Sequence, residues 1–198
     1  MIRSIAGAVC TALLVFALPA PAANANTITD IVAASGGEFD RNRNDFDILL
    51  TAVIAADLAE TLAEPGAAFT VFAPNDRSFI RLARDLGYRG RSEQGAWEFL
   101  VTALSGLAED GDPIPVLRNV LLYHVVPARV SVFGFLLTTI RGNDIPTVLG
   151  PTLDPFLFGL RDNEPDLRDP RLTFPLNIKA SNGIIHTINR VLIPIDLP

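Results

Sequence analysis

From Phe69 to Phe79 the chain reads FTVFAPNDRSF, and its apolar residues change period halfway along. Phe69, Val71 and Ala73 alternate with Thr70 and Phe72, the period of a strand with apolar bulk on both faces. A strand of that kind belongs at the centre of a sheet covered on both sides. Pro74 has no N–H to give a ladder, and Asn75 or Asp76 can cap the helix that follows. Phe79, Leu82, Ala83 and Leu86 then recur at helical spacing, with Gly87 as the closing residue.

Helical stripes lie on either side of this stretch. Ile28–Ala34 predicts a short helix, capped by Thr27 or Thr29 and ended by Gly36-Gly37. Phe46, Leu49, Leu50, Val53, Ile54, Leu58 and Leu62 predict one longer helix that stops at Glu64-Pro65-Gly66. Tyr88–Gln94 reads as a basic and polar exposed loop, Trp97, Leu100, Val101 and Leu104 as another helix, and Glu109–Pro115 as an acidic turn. Beyond residue 127 the pattern shortens to strand candidates at Val130–Phe133, Leu136–Ile140, Ile145–Leu149 and Phe156–Leu160. Arg161–Arg171 (RDNEPDLRDPR) reads as a solvated, mobile surface loop and the best place for recognition. Asn182-Gly183 signals a hairpin between Leu176–Ala180 and Ile184–Ile188.

Three of these stretches carry a family signature. Thr70–Phe79 matches T-V-F-A-P-x-[ND]-x-[AS]-F, Leu122–Pro127 (LYHVVP) matches a Tyr-His motif, and Asn182–Pro194 matches N-G-x-[IV]-H-x-[IV]-[DN]-x-V-L-x-P. Their residues and order resemble the fasciclin-type (FAS1) domain, in its single-domain bacterial secreted form. The resemblance implies an α+β fold, a short-stranded β-sandwich or wedge with several helices flanking it in the N-terminal half. It marks Thr70, Phe72, Pro74, Asn75, Phe79, Gly183, His186 and Pro194 as structural positions, and Tyr123 and His124 as candidate binding residues. It also implies a non-catalytic role in adhesion or matrix contact, with a surface protein or polysaccharide as partner. No internal repeat is present, so one unit is expected over residues 26–198.

The N-terminus changes where that unit is expected to work. Arg3, the uncharged run Ile5–Leu18 and the small pair Ala23 and Ala25 have the layout of a secretory signal peptide, cleaved after Ala25. Cleavage removes Cys10, the only cysteine, so the mature domain has no disulfide, thiol nucleophile or thiolate ligand. Export without disulfides fits a secreted or periplasmic envelope protein with no transmembrane segment left after processing.

The net charge of −6 argues against nucleic acid or anionic membrane, and no basic block interrupts the sequence. No G-x-S-x-G, P-loop, H-E-x-x-H or G-x-G-x-x-G motif appears, and no cofactor is expected. A competing class, an envelope enzyme or small-molecule binder, would have to use His124 or His186 with nearby carboxylates. Both histidines sit among apolar neighbours, which points to packing. Asp40, Asn42 and Asn44 alternate like the start of a calcium loop, but Asp45 stands at the turn-glycine position and Thr51 where a bidentate Glu belongs. The expectation is therefore a polar turn at Asp40–Asp47 without a metal, with Asn44 or Asp45 capping the next helix.

Overall fold

The computed structural model describes residues 26–37 and 39–197; the expected leader, residues 1–25, lies outside them. The stretch Phe69–Pro74 (β1) is central, as its pattern requires. It pairs antiparallel with Val125–Val126 (β2) and parallel with Gly183–Ile188 (β7), from Phe69 opposite Gly183 to Pro74 opposite Ile188. Ile178–Ala180 (β6) completes the sheet in the order β2-β1-β7-β6. A parallel pair needs cover on both faces. Phe72 packs with Tyr123, Phe135, Leu153, Leu160, Ile188 and Leu192 on one side. Val71 and Ala73 face the helical core, with Ile48, Leu49, Phe79 and Ile185.

The helices are Ile28–Ser35 (α1), Asp47–Ala55 (α2), Ala59–Ala63 (α3), Asp76–Asp85 (α4), Glu93–Leu107 (α5), Pro113–Tyr123 (α6) and Val132–Arg141 (α7). Ile145–Pro146 (β3), Thr152–Phe156 (β4) and Gly159–Arg161 (β5) form a second, antiparallel sheet. The fold is mixed α+β, with six of its seven helices before residue 124, and the described residues form no closed barrel.

Several local expectations are corrected. The stripe 46–62 breaks into α2 and α3, because Asp57 takes a positive φ of 54°. Neither Asn44 nor Asp45 caps α2. Its first amides, those of Asp47 and Ile48, donate instead to the Asp76 carboxylate at 3.2 and 2.8 Å. Asn75 caps α4, accepting from Ser78 N, which leaves Asp76 free for that role. Val130–Phe133 and Leu136–Ile140 are not strands; the second half of the first and all of the second lie in α7. Ser131 caps that helix at Gly134 N, and Gly142 closes it at φ 64°, so punctuation overrides the β-branched content. Phe156–Leu160 is the β4–β5 turn, with Phe158 at φ 53°. The loop 88–94 ends early, since Ser92 caps α5, and Asp112 caps α6 inside the expected acidic turn.

The hairpin forms, but its reason differs from a simple turn preference. A Cβ on Gly183 would overlap the Phe69 carbonyl oxygen and come within 2.6 Å of Ile28 Cδ1, so close approach of β1 and α1 demands glycine. Asn182 is fully buried; its Oδ1 accepts from Ile28 N, and its Nδ2 donates to the Leu62 and Glu64 carbonyls. One side chain thus joins α1, the end of α3 and the sheet.

Candidate functional site

The motif residues are brought together in the interior. Tyr123 and His124, the candidate binding pair, end α6 and are buried. The Tyr123 hydroxyl donates to Thr152 O at 3.1 Å, fastening α6 to the second sheet. Burial pushes its pKa above the ordinary range. His124 lies 2.8 Å from Val120 O through Nδ1, and its Nε2 accepts from Leu192 N at 2.9 Å. That pattern requires the proton on Nδ1. Burial pushes its pKa down to about 4, so the ring is neutral at pH 7.

His186, on β7, uses the opposite tautomer. Its Nε2 lies 2.7 Å from Val130 O, and its Nδ1 accepts from Asn177 N at 3.3 Å. Burial lowers its pKa as well, and its ring stacks near Phe72 at 6.0 Å. Every hydrogen-bond partner of the two rings is backbone. Neither histidine keeps a free nitrogen for proton transfer, and among the described residues no carboxylate orients either one.

The remaining motif residues are placed around them. Thr70 Oγ1 donates to Ala128 O and accepts from Val130 N, tying β1 to the segment before α7. Phe72 and Phe79 fill the two core clusters. Pro74 ends β1, and the Pro194 carbonyl accepts from Asn163 Nδ2. Asn182, a residue the sequence reading did not single out as functional, makes three hydrogen bonds next to Gly183. Its signal was present in the third motif, but a side-chain amide that spans three elements has no local spacing to reveal it.

The surface holds a second arrangement. Arg161–Arg171, expected to be a loose loop, is held down along its first half. Asp162 accepts from Ile193 N at 2.8 Å and from Glu164 N, and the buried Glu164 accepts from Leu197 N and Asp166 N. Burial raises the Asp162 pKa to about 6. The loop's second half borders an open cleft of about 670 Å³ with Arg81, Arg161, Arg168, Arg171 and Arg190 in its wall, beside Phe156 and a single carboxylate, Asp169.

Arg161 and Arg171 stand 5.2 and 5.5 Å from the centre of the Phe156 ring. Arg161 pairs with Asp154 and Arg190 with Asp85. Arg81 donates to Asn189 O, and burial, with Arg77 and Arg190 nearby, lowers its pKa. Another cleft, of about 630 Å³, is lined by Arg43, Arg84, Arg89, Arg91 and Tyr88, with Arg84 one turn along α4 from Arg81.

Nine of the 16 Lys and Arg residues therefore line two clefts; the basic segment 88–94 supplies two of them, and the larger cleft corresponds to no run in the sequence. The expectation of no basic block holds along the chain and fails in space, because the β1–β7 pairing sets α4 beside residues 189–190.

A fasciclin domain family profile matches residues 44–194. Protein sll1483 of Synechocystis sp. is 29% identical over 178 residues, covering 90% of this chain and 80% of that protein. A second Synechocystis protein, sll1735, is 29% identical over 148 residues, 75% of this chain and 89% of its own length. Human periostin is 28% identical over 153 residues, which cover 77% of this chain and 15% of periostin. Among solved structures, a FAS1 domain pair from the insect cell adhesion molecule fasciclin I matches with a TM-score of 0.58 at 13% identity, over 85% of this chain and 51% of that one; at that identity the likeness is one of fold. The chain belongs to the fasciclin domain family.

Proposed function

We propose that the protein is a non-catalytic interaction module of the cell envelope or the medium, and that it grips an anionic polymer through the arginine clefts beside α4. The observation that carries this reading is the gathering of five guanidinium groups around one open cleft on a chain whose net charge is −6. Arginine forks match carboxylate and sulfate groups in pairs. Phe156 holds the Arg161 and Arg171 guanidinium groups against its ring at the edge of the same cleft. An acidic polysaccharide, presenting charges at regular intervals, fits two clefts that share α4 through Arg81 and Arg84. The non-catalytic part rests on the histidines, whose four ring nitrogens are all engaged by backbone. The alternative, an enzyme or small-molecule binder at His124 and His186, has no carboxylate bonded to either ring among the described residues to support it.

The test is binding of the purified protein to immobilised polyuronate, with neutral dextran as control. Binding should weaken steeply with salt, and the double variant Arg168→Glu/Arg171→Glu should lose roughly tenfold or more in affinity while melting normally. Equal retention on dextran, or an unaffected double variant, would sink the reading. Placement outside the cytoplasm rests on the N-terminal leader pattern. The exported protein should have the mass of a chain beginning at Asn26, and exported protein beginning at Met1 would contradict it.

A further inference from the structure

Five carboxylates meet where α2, α4 and α5 begin. Asp40 and Asp45 come from the polar turn, Asp47 opens α2, Asp76 opens α4 and Glu93 opens α5. Asp45, Asp47 and Asp76 place oxygens within 4.8 Å of one another, and Asp40, Asp47 and Glu93 do the same, so Asp47 is shared. Asp45 is 6% exposed, Asp47 2%, Asp76 0% and Glu93 2%; only Asp40 is open to solvent.

The backbone holds this cluster closed. Asp76 N donates to Asp45 O and Arg77 N to Arg43 O, fixing the turn against α4. Glu93 Oε2 accepts from Asp40 N at 2.8 Å, fixing it against α5. Asp45 Oδ2 accepts from Asn42 Nδ2.

Helix capping accounts for Asp76, whose two oxygens take the first amides of α2. It does not account for the rest. Asp45 Oδ1 and both Asp47 oxygens are buried and receive no N–H or hydroxyl donor; the Asp45 carboxyl meets the Asp76 carboxyl instead. The Gly37 amide leans toward Asp47 and favours its charged form, yet no well-formed bond results. Among the described residues no Lys, Arg or His pairs with any of the five; the ion pairs are Arg161–Asp154 and Arg190–Asp85, elsewhere. Burial, joined by neighbouring carboxylates, pushes the pKa values of Asp47, Asp76 and Glu93 upward.

Crowded buried carboxylates have two ways to relieve this arrangement: they take up protons, or they hold a cation. Every donor is oxygen, which selects a hard cation. The cluster is irregular and rich in carboxylate, and little water reaches it. Such a setting suits the variable coordination of calcium better than magnesium, which demands an octahedron and keeps its waters.

We propose that Asp45, Asp47 and Asp76, with Asp40 and Glu93 alongside, bind a calcium-class divalent cation that ties the 40–46 turn to the starts of α2, α4 and α5. The turn alone departs from a calcium loop at Asp45 and Thr51. The carboxylates its pattern lacks arrive from α4 and α5.

The test is a calorimetric and thermal titration of the purified protein after EDTA treatment, with CaCl2 and, separately, MgCl2. Calcium should bind once per chain with a Kd of about 10⁻⁵–10⁻³ M, and at saturation raise the melting temperature by several degrees; magnesium should do less. Asp45→Asn and Asp47→Asn should each abolish the calcium response. In EDTA they should melt no lower than the parent, since each removes charge from a repelling cluster. Asp166→Asn, in a separate group with Glu164 and Asp196, should keep the response. No heat and no thermal shift up to about 10 mM calcium overturns the site, as does a response retained in both Asn variants. If a variant fails to fold, the parent's titration decides alone: a saturable one-site shift supports the site and a flat one refutes it.

Discussion

His124→Ala should lower the melting temperature by on the order of 10 °C and flatten the acid side of the stability profile. The substitution strands the Leu192 amide and the Val120 carbonyl inside the protein and leaves a void between α6 and the C-terminal segment. Each stranded buried group costs about 1–3 kcal/mol and the void adds to it, which gives roughly 3–5 kcal/mol in all. A domain of this size loses about 2–4 °C per kcal/mol.

The pH signature separates this role from a merely packed ring. The folded-state pKa of His124 is lowered from 6.5 to about 4. As pH falls, the unfolded chain takes the proton first, so the neutral ring's contribution is complete above pH 6.5 and is lost as pH drops toward 4. Across that window the shift is worth about 3 kcal/mol. His186 is lowered too and acts with the same sign, so the variant's slope should shrink without vanishing. Asp47, Asp76 and Glu93, with raised pKa values, work in the opposite direction. The difference between parent and variant, measured by denaturant melts at stepped pH, isolates His124. An unchanged melt together with lost polymer binding would instead make His124 a contact residue.

Asn182→Ala and Gly183→Ala should each be as damaging as His124→Ala, for different reasons. Asn182→Ala removes three hydrogen bonds and leaves the Ile28 amide and the Leu62 and Glu64 carbonyls to find other partners. A loss of about 3–5 kcal/mol follows if two of those groups stay dry. Gly183→Ala loses no bond. It drives a methyl into the Phe69 carbonyl, at the first pair of the parallel β1–β7 ladder, where backbone cannot step aside as a side chain would. Urea unfolding should show both midpoints falling with an unchanged m-value. A Gly183→Ala midpoint within error of the parent would mean that β1 and β7 leave room for a methyl between Gly183 and the Phe69 carbonyl.

These two residues also show how the fold could be read in advance. Where a signal is local, the sequence carried it: the alternation of Phe69–Ala73, the Asn75 cap, the Gly87 stop and the apolar setting of both histidines. Gly183 is legible only as a hairpin residue; its need for glycine comes from the Phe69 carbonyl on another strand, which no local spacing reveals. Signals failed where two local preferences compete. Residues 132–141 hold β-branched and aromatic side chains, yet Ser131 and Gly142 mark out a helix with only Phe135 buried. They failed again where proximity is made by topology. The arginines of the larger cleft sit at positions 81, 161, 168, 171 and 190, and the clustered carboxylates on the polar turn, α2, α4 and α5. No window along the chain contains either group.

α7 offers a different kind of surface, since Phe133 and Ile140, two turns apart on one face, are 70% and 79% exposed. That face and the arginine clefts make opposite predictions about the partner. The most direct measurement is a heteronuclear NMR titration with an oligouronate, following backbone amides and arginine Nε–H groups at low and at physiological salt. The account predicts saturable shifts at Arg81, Arg168, Arg171 and Arg190 and along residues 161–171 that fade as salt rises, with the Tyr123 and His124 signals unmoved. Shifts confined to α7, or centred on Tyr123 and His124, or absent at every ligand concentration, would contradict it.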